Sequence, residues 1–202
     1  LEFAIVGEPT QMHLAVAEKG LMVLECKAPG KSGHAAREEG ENAIYNAMKD
    51  IAWFQSYQFP KQSEMFGPIK MSVTMINAGT QHNVVPSSCD FVVDVRITDA
   101  YTNQEVLDII EANTISDIQP RSTRLKPSCI SKEHPIVQAG LALGRTTYGS
   151  PTTSDQALLS IPSLKLGPGD SARSHTADEF IYVNEIEEGI PLYVKMLDQI
   201  VL

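Results

Sequence analysis

Cysteine is scarce: Cys26, Cys89 and Cys129 are widely spaced, odd in number and form no C-x-x-C pair. That argues against a disulfide framework and against a thiolate metal site, and reduced packing cysteines fit a cytoplasmic chain. Long apolar runs are missing as well. None approaches the ~20 residues that cross a bilayer, and the opening LEFAIVG contains Glu2 and lacks a basic leader, so no membrane association is expected. Positive charge is in short supply, with 16 Lys and Arg against 25 Asp and Glu and a formal charge of -9. The basic residues stand singly along the chain, no stripe of them can neutralise a phosphate backbone, and nucleic acid is not an expected partner. Internal repeats and low-complexity tracts are also absent. No Met opens the chain, and FAIVG already reads as a buried strand, so the expectation is that it begins inside a larger protein.

What remains is an ordinary globular composition over 202 residues, enough to bury a core in one domain or two small ones. After the turn Gly7-Glu8-Pro9-Thr10, the Val-, Leu- and Met-rich stretch 12–27 reads as a hairpin around Lys19-Gly20. Ile44, Ala47, Met48, Ile51, Ala52 and Phe54 recur at helical spacing until Pro60. Alternating segments at 69–76 and 89–97 read as strands, Thr102 caps a second helix, and 121–130 alternates again. The order is β-α-β-β-α-β, which lets both helices cover one face of a four-stranded antiparallel sheet in a ferredoxin-like, α+β module over 14–130. An edge strand or the helices of such a module are free to meet a partner. The rest changes character, with a helix at 134–143, a loop through Gly149-Ser150-Pro151, a helix from Thr153, the strand SLKLG, a Gly-Pro-Gly loop and a terminal helix from Asn184. With residues 1–13 these pieces of 131–202 read as part of an α/β domain into which the module is inserted.

Five side chains stand out. Glu8 follows a strand and precedes a proline, at a sheet edge where open α/β folds place ligands, although alone it is an ordinary exposed turn. His175 lies in GPGDSARSHTADEF beside Asp178 and Glu179, carboxylates of the kind that fix a metal-bound imidazole; the plain alternative is a helix-start histidine among capping acids. His34, in GKSGHAAREEG, has small neighbours and can donate a hydrogen bond to a developing oxyanion without binding metal. Asn83 in HNVVP and Arg96 in DVRITD bracket a strand pair; Arg96 can fork a carboxylate or pair with Asp94 or Asp99. Thr153-Ser154-Asp155-Gln156 is a capping box.

The order of these motifs, GEPT, GHAAR, NVVP, DVR, TSD, GPG and SHTADEF, resembles the metal-dependent M20 family of peptidases and deacylases, of the acetylornithine deacetylase and succinyl-diaminopimelate desuccinylase type. The resemblance spans the chain and implies a ferredoxin-like dimerisation lid inserted into a zinc-peptidase-like catalytic domain. By it, Glu8 and His175 each bind one of two zinc ions, with cobalt an alternative. His34 reaches the active site of the other subunit of a homodimer formed through the lid, and Asn83 and Arg96 hold the substrate. The substrate expected is a small N-acyl amino acid in arginine synthesis; a di- or tripeptide and a non-catalytic dimerisation module are the alternatives. The family's H-x-D motif, bridging Asp and Glu-Glu pair do not occur, so the resemblance is to a carboxyl-terminal portion, inactive alone. The proline and loop length expected after Arg37 are missing too.

Overall fold

The computed structural model describes residues 2–200. Its contacts divide the chain into two compact units, one formed by Gly20–Lys126 and the other by the stretches up to Lys19 and from Pro127 onward. In chain order the elements are β1 (Ala4–Val6), β2 (Leu14–Glu18), β3 (Gly20–Pro29), β4 (Gly33–His34), α1 (Ala43–Ser56), β5 (Lys70–Ala78), β6 (Val84–Val85) and β7 (Ser88–Ile97). There follow α2 (Asn103–Asn113), β8 (Asp117–Pro120), β9 (Ser128–Cys129), α3 (Pro135–Ala142), β10 (Thr147–Ser150), β11 (Ser163–Lys165) and α4 (Val183–Asp198).

The inserted unit is the ferredoxin-like module. Its sheet runs β5-β7-β3-β8 with every neighbouring pair antiparallel. Along β3 the residues Met22, Leu24, Cys26 and Ala28 are buried and their neighbours are not, the alternation of a sheet covered on one face. The helices supply that cover. Asn42 caps α1 by accepting the Ile44 N–H, and the helix buries Ala43, Ala47 and Phe54. Thr102 and Glu105 cap α2 reciprocally, and Val106, Leu107 and Ile110 complete the core. Buried Asp50 of α1 accepts the backbone N–H groups of Ile115 and Ser116, tying α1 to the turn before β8. Strand β5 is an edge: it pairs with β7, is bulged between Val73 and Met75, and exposes Met75 and Ile76 by 64% and 57%.

The flanking unit holds a mixed sheet, β1-β11-β2-β10, with β9 beside β2. Its core is Leu14, Val16, Ile130, Ile136, Val137, Leu164, Leu166 and Met196, contributed by the sheet and by α3 and α4. Across β2, Glu18 is fully buried and accepts hydrogen bonds from the Ser154 backbone N–H (3.0 Å) and hydroxyl (2.8 Å). Buried Lys165 of β11 lies 3.5 Å from the same carboxylate and donates to the hydroxyls of Ser150 (3.1 Å) and Thr152 (3.0 Å). No described helix is long and apolar enough to cross a membrane.

Several expectations are corrected. The hairpin at Lys19-Gly20 does not form, because β2 and β3 lie in different sheets. All five residues of β2 are buried, as in a strand covered on both faces, whereas β3 alternates; the chain changes unit at the point where the pattern changes. The last strand of the module is Asp117–Pro120, not 121–130. There the strand-like run is broken by Pro127, which has no N–H to donate, and Ser128–Cys129 joins β2 instead. Residues 147–150, read partly as loop, form β10 parallel to β2. The helix read from Thr153 is only a 3-10 turn over Asp155–Leu158.

Candidate functional site

The flanking unit builds one cleft from two strand ends. Strands β1 and β11 are parallel neighbours, with Val6 opposite Lys165, so the turn Gly7-Glu8-Pro9 and the loop Gly167-Pro168-Gly169 leave the sheet at the same carboxyl end. That is where open α/β sheets place ligands. The two loops are zipped together: Thr10 and Met12 donate their N–H groups to the Gly167 carbonyl at 3.1 and 3.0 Å, and Gln11 donates to Gly169 at 2.8 Å. Close approach demands glycine here, since a Cβ on Gly167 would lie 2.5 Å from the Glu8 carbonyl oxygen. Between the loops opens a cleft of about 450 Å³ lined by Glu8, Pro9, Arg173, Glu179, Phe180 and Ile181, among others.

His175 lies in a segment whose residues Arg173, Ser174 and Glu179 to Ile181 line this cleft. Its backbone N–H donates to the Glu179 carboxylate at 3.0 Å. Its φ is 61°, in the left-handed region that a residue with a Cβ adopts at a cost. The structure thus brings Glu8 and the segment bearing His175 to one cleft. Among the described residues, no three His, Cys, Asp or Glu side chains gather closely enough to hold a metal ion. A carboxylate and an imidazole suit zinc in kind, but two donors fall short of the four or so that a zinc site takes.

His34 and Asn83 come together in the inserted unit. They meet on a two-stranded ribbon, β4 with β6, in which His34 faces Val84 and the Ala35 N–H donates to the Asn83 carbonyl at 2.9 Å. The His34 Nδ1 accepts the Ala36 N–H at 3.1 Å, which in the neutral imidazole leaves the ring proton on Nε2. The loop is spare because backbones pack against each other inside it: a Cβ on Gly33 would sit 2.8 Å from the Gly40 nitrogen. Arg96 is elsewhere. It lies eight residues along β7 from Ser88, the end next to the ribbon, a separation on the order of 25 Å at a strand's rise per residue. Its guanidinium forks Asp94 at 2.7 and 3.0 Å, the ion pair that the sequence leaves open.

Two features escape the sequence. One is the buried Glu18–Lys165 pair, hidden because both residues sit in otherwise apolar strands. The other is Arg173, which forks Glu185 of α4 and lies 5.1 and 5.0 Å from the ring centroids of Phe180 and Tyr182. The hydrogen bond from Arg173 holds the Glu185 carboxyl below the usual range. A glutamate three residues past Tyr182 is the only signal that could have pointed to it.

The peptidase dimerisation domain of the M20 family matches residues 16–117, and the chain belongs to that family. It is 26% identical to the acetylornithine deacetylase of Proteus mirabilis, over all of this chain and 57% of that enzyme. Among solved structures it is similar to the aminopeptidase PepT of Bacillus cereus, with a TM-score of 0.76 and 19% identity over 98% of this chain and 56% of that one. It is also similar to an M20 family metallo-carboxypeptidase of Sulfolobus solfataricus, with a TM-score of 0.72 and 12% identity over 98% and 63%. The chain spans about half the length of the curated relatives it matches.

Proposed function

We propose that these residues act within an M20 subunit of the length of their relatives, a zinc-dependent hydrolase that removes the acyl group from an N-acyl amino acid, as the acetylornithine deacetylase among those relatives is named. The observation that carries this reading is the convergence of the Glu8 turn and the His175 segment on one cleft at the carboxyl ends of adjacent parallel strands. In it Glu8 and His175 are donors, one to each of two metal ions, and the other donors lie outside this sequence. A bound zinc pair supplies Lewis acidity and an activated water. What this chain adds is a proton held at a stated atom: the Nε2–H of His34 is available to a developing oxyanion. Asn83, beside it, serves a polar group of that substrate, whereas Arg96, on the order of 25 Å away along β7 and forked on Asp94, does not reach the same small molecule from the same subunit.

The free edge of β5, with Met75 and Ile76 exposed and neither proline nor charge among its middle residues, supports a homodimer formed through the inserted unit. Three unpaired cysteines fit a cytoplasmic setting. For the 202 residues taken alone, the shortfall of donors favours a second reading, a dimerisation module without chemistry. The test is an assay of the full gene product on acetyl- and succinyl-amino acids, with di- and tripeptides alongside. Zinc-dependent acyl release that Glu8→Ala and His175→Ala abolish is expected, and activity that survives complete chelation would overturn the reading.

A further inference from the structure

The segment from Asp170 to Tyr182 has almost no apolar anchorage, for none of Ser171–Arg173 is buried and residues 175–182 are exposed. Yet it holds His175 at a φ of 61°, a conformation that persists only where the surroundings over-determine it. Asp170 fixes the start of the segment, accepting from the Ala172 N–H at 2.9 Å and from the Gln11 amide at 2.7 Å. Past that point the His175 N–H itself is held by the Glu179 carboxylate at 3.0 Å, and the other ties converge on Arg173. Its two terminal nitrogens fork the two oxygens of Glu185, in the first turn of α4. Its guanidinium lies 5.1 Å from the Phe180 ring and 5.0 Å from the Tyr182 ring, and those rings pack edge to face at 5.0 Å. Glu185 also accepts the Tyr182 N–H at 2.9 Å, and the Arg173 carbonyl accepts the Thr176 hydroxyl at 2.8 Å. The residues before and after His175 are therefore bound to one carboxylate on a helix.

We infer that Arg173 is a positioning residue: forked on Glu185 and stacked against Phe180 and Tyr182, it holds His175 in its left-handed conformation at the cleft. A planar guanidinium can fork and stack at once, and an ammonium cannot. Without the clamp, the His175 backbone relaxes to a right-handed or extended conformation, which redirects the imidazole. The consequence for chemistry rests on the reading of His175 as a donor; the placement itself does not.

The test is NMR on the 202-residue chain, reading the couplings and shifts that report φ at His175, together with amide exchange. In Arg173→Ala the left-handed signature at His175 is lost and the amides of His175 and Tyr182 exchange at least tenfold faster, while those of Leu164 in β11 and Leu192 in α4 change less than twofold. Arg173→Lys behaves like the alanine variant. If Arg173→Ala does not fold, Glu185→Gln, which keeps the ring stacking, is read in the same way and shows the same local change at smaller amplitude. A left-handed His175 that survives these substitutions, or exchange that rises uniformly across the unit, overturns the inference. His175→Ala in the full gene product tests the donor reading separately, and the couplings in the shorter chain do not depend on its result.

Discussion

Lys165→Met removes the cation that meets the buried Glu18 carboxylate. In the native chain Lys165 Nζ lies 3.5 Å from Glu18 and donates to Ser150 and Thr152, while Glu18 also accepts from the backbone N–H and hydroxyl of Ser154. Methionine matches the lysine stem in volume, so packing changes little and the electrostatic loss dominates. Removing one partner of a buried ion pair costs about 3–5 kcal/mol, because the other charge is left uncompensated. The expected loss is therefore of that size, about 3–5 kcal/mol. The assay is urea unfolding followed by far-UV circular dichroism, since the single tryptophan, Trp53, lies in the other unit. At an m of about 2 kcal/mol/M the midpoint moves by roughly 2 M. Replacing both partners, Glu18→Gln with Lys165→Met, recovers most of it. A loss under about 1 kcal/mol would show that Glu18 is not a buried charge held by Lys165.

Other outcomes follow from the same geometry. His34→Ala in the full gene product lowers kcat by about two to three orders of magnitude with metal content retained; unchanged turnover removes His34 from the mechanism. Ile76→Lys on the β5 edge converts a dimer to a monomer in sedimentation equilibrium with circular dichroism unchanged, and a dimer that persists moves the interface away from this strand. Burial, and secondarily Asp50, push the Cys26 thiol up to about 12. Iodoacetamide at pH 8 thus labels exposed Cys129 alone in the folded chain and all three cysteines in denaturant, as counted by mass. Because the folded Cys26 thiol keeps its proton where the unfolded one, near 9.0, ionises, stability falls as the pH rises beyond about 9. Glu185, held below 4.5 by Arg173, works in the opposite sense: its contribution is complete above pH 4.5 and is lost as the pH falls through its lower folded value. The protection of amides around His175 against exchange, taken relative to the intrinsic rate at each pH, falls as the pH drops through that value.

The inserted unit was legible because its helices carry their own punctuation, Asn42, Pro60 and the Thr102–Glu105 box, and because one-faced strands alternate. The flanking unit was not, since its strands are short and covered on both faces; Leu14–Glu18 is a plain apolar run whose partners, near 128, 147 and 165, no local pattern can name. At the site, local chemistry singled out candidate side chains, and long-range pairing decided which of them meet. The ribbon joining His34 to Asn83 has two residues per strand, too few for any periodicity, and the role of Arg173 depends on a helix that begins ten residues later. Arg96 illustrates the limit: Asp94 two positions away was in view as its partner, but only the fold shows that partner engaged and the ribbon at the far end of the strand.

The reading turns on whether Glu8 and His175 face neighbouring cation positions in one cleft, and a cobalt titration of the 202-residue chain monitored by NMR measures that directly. The account predicts weak binding in which the amides of Gly7, Glu8 and Thr10 and of Ser174 to Thr176 all broaden, Glu8→Ala weakening the first effect and His175→Ala the second. Broadening confined to one of the two segments, or a tight stoichiometric site formed by this chain alone, would contradict it.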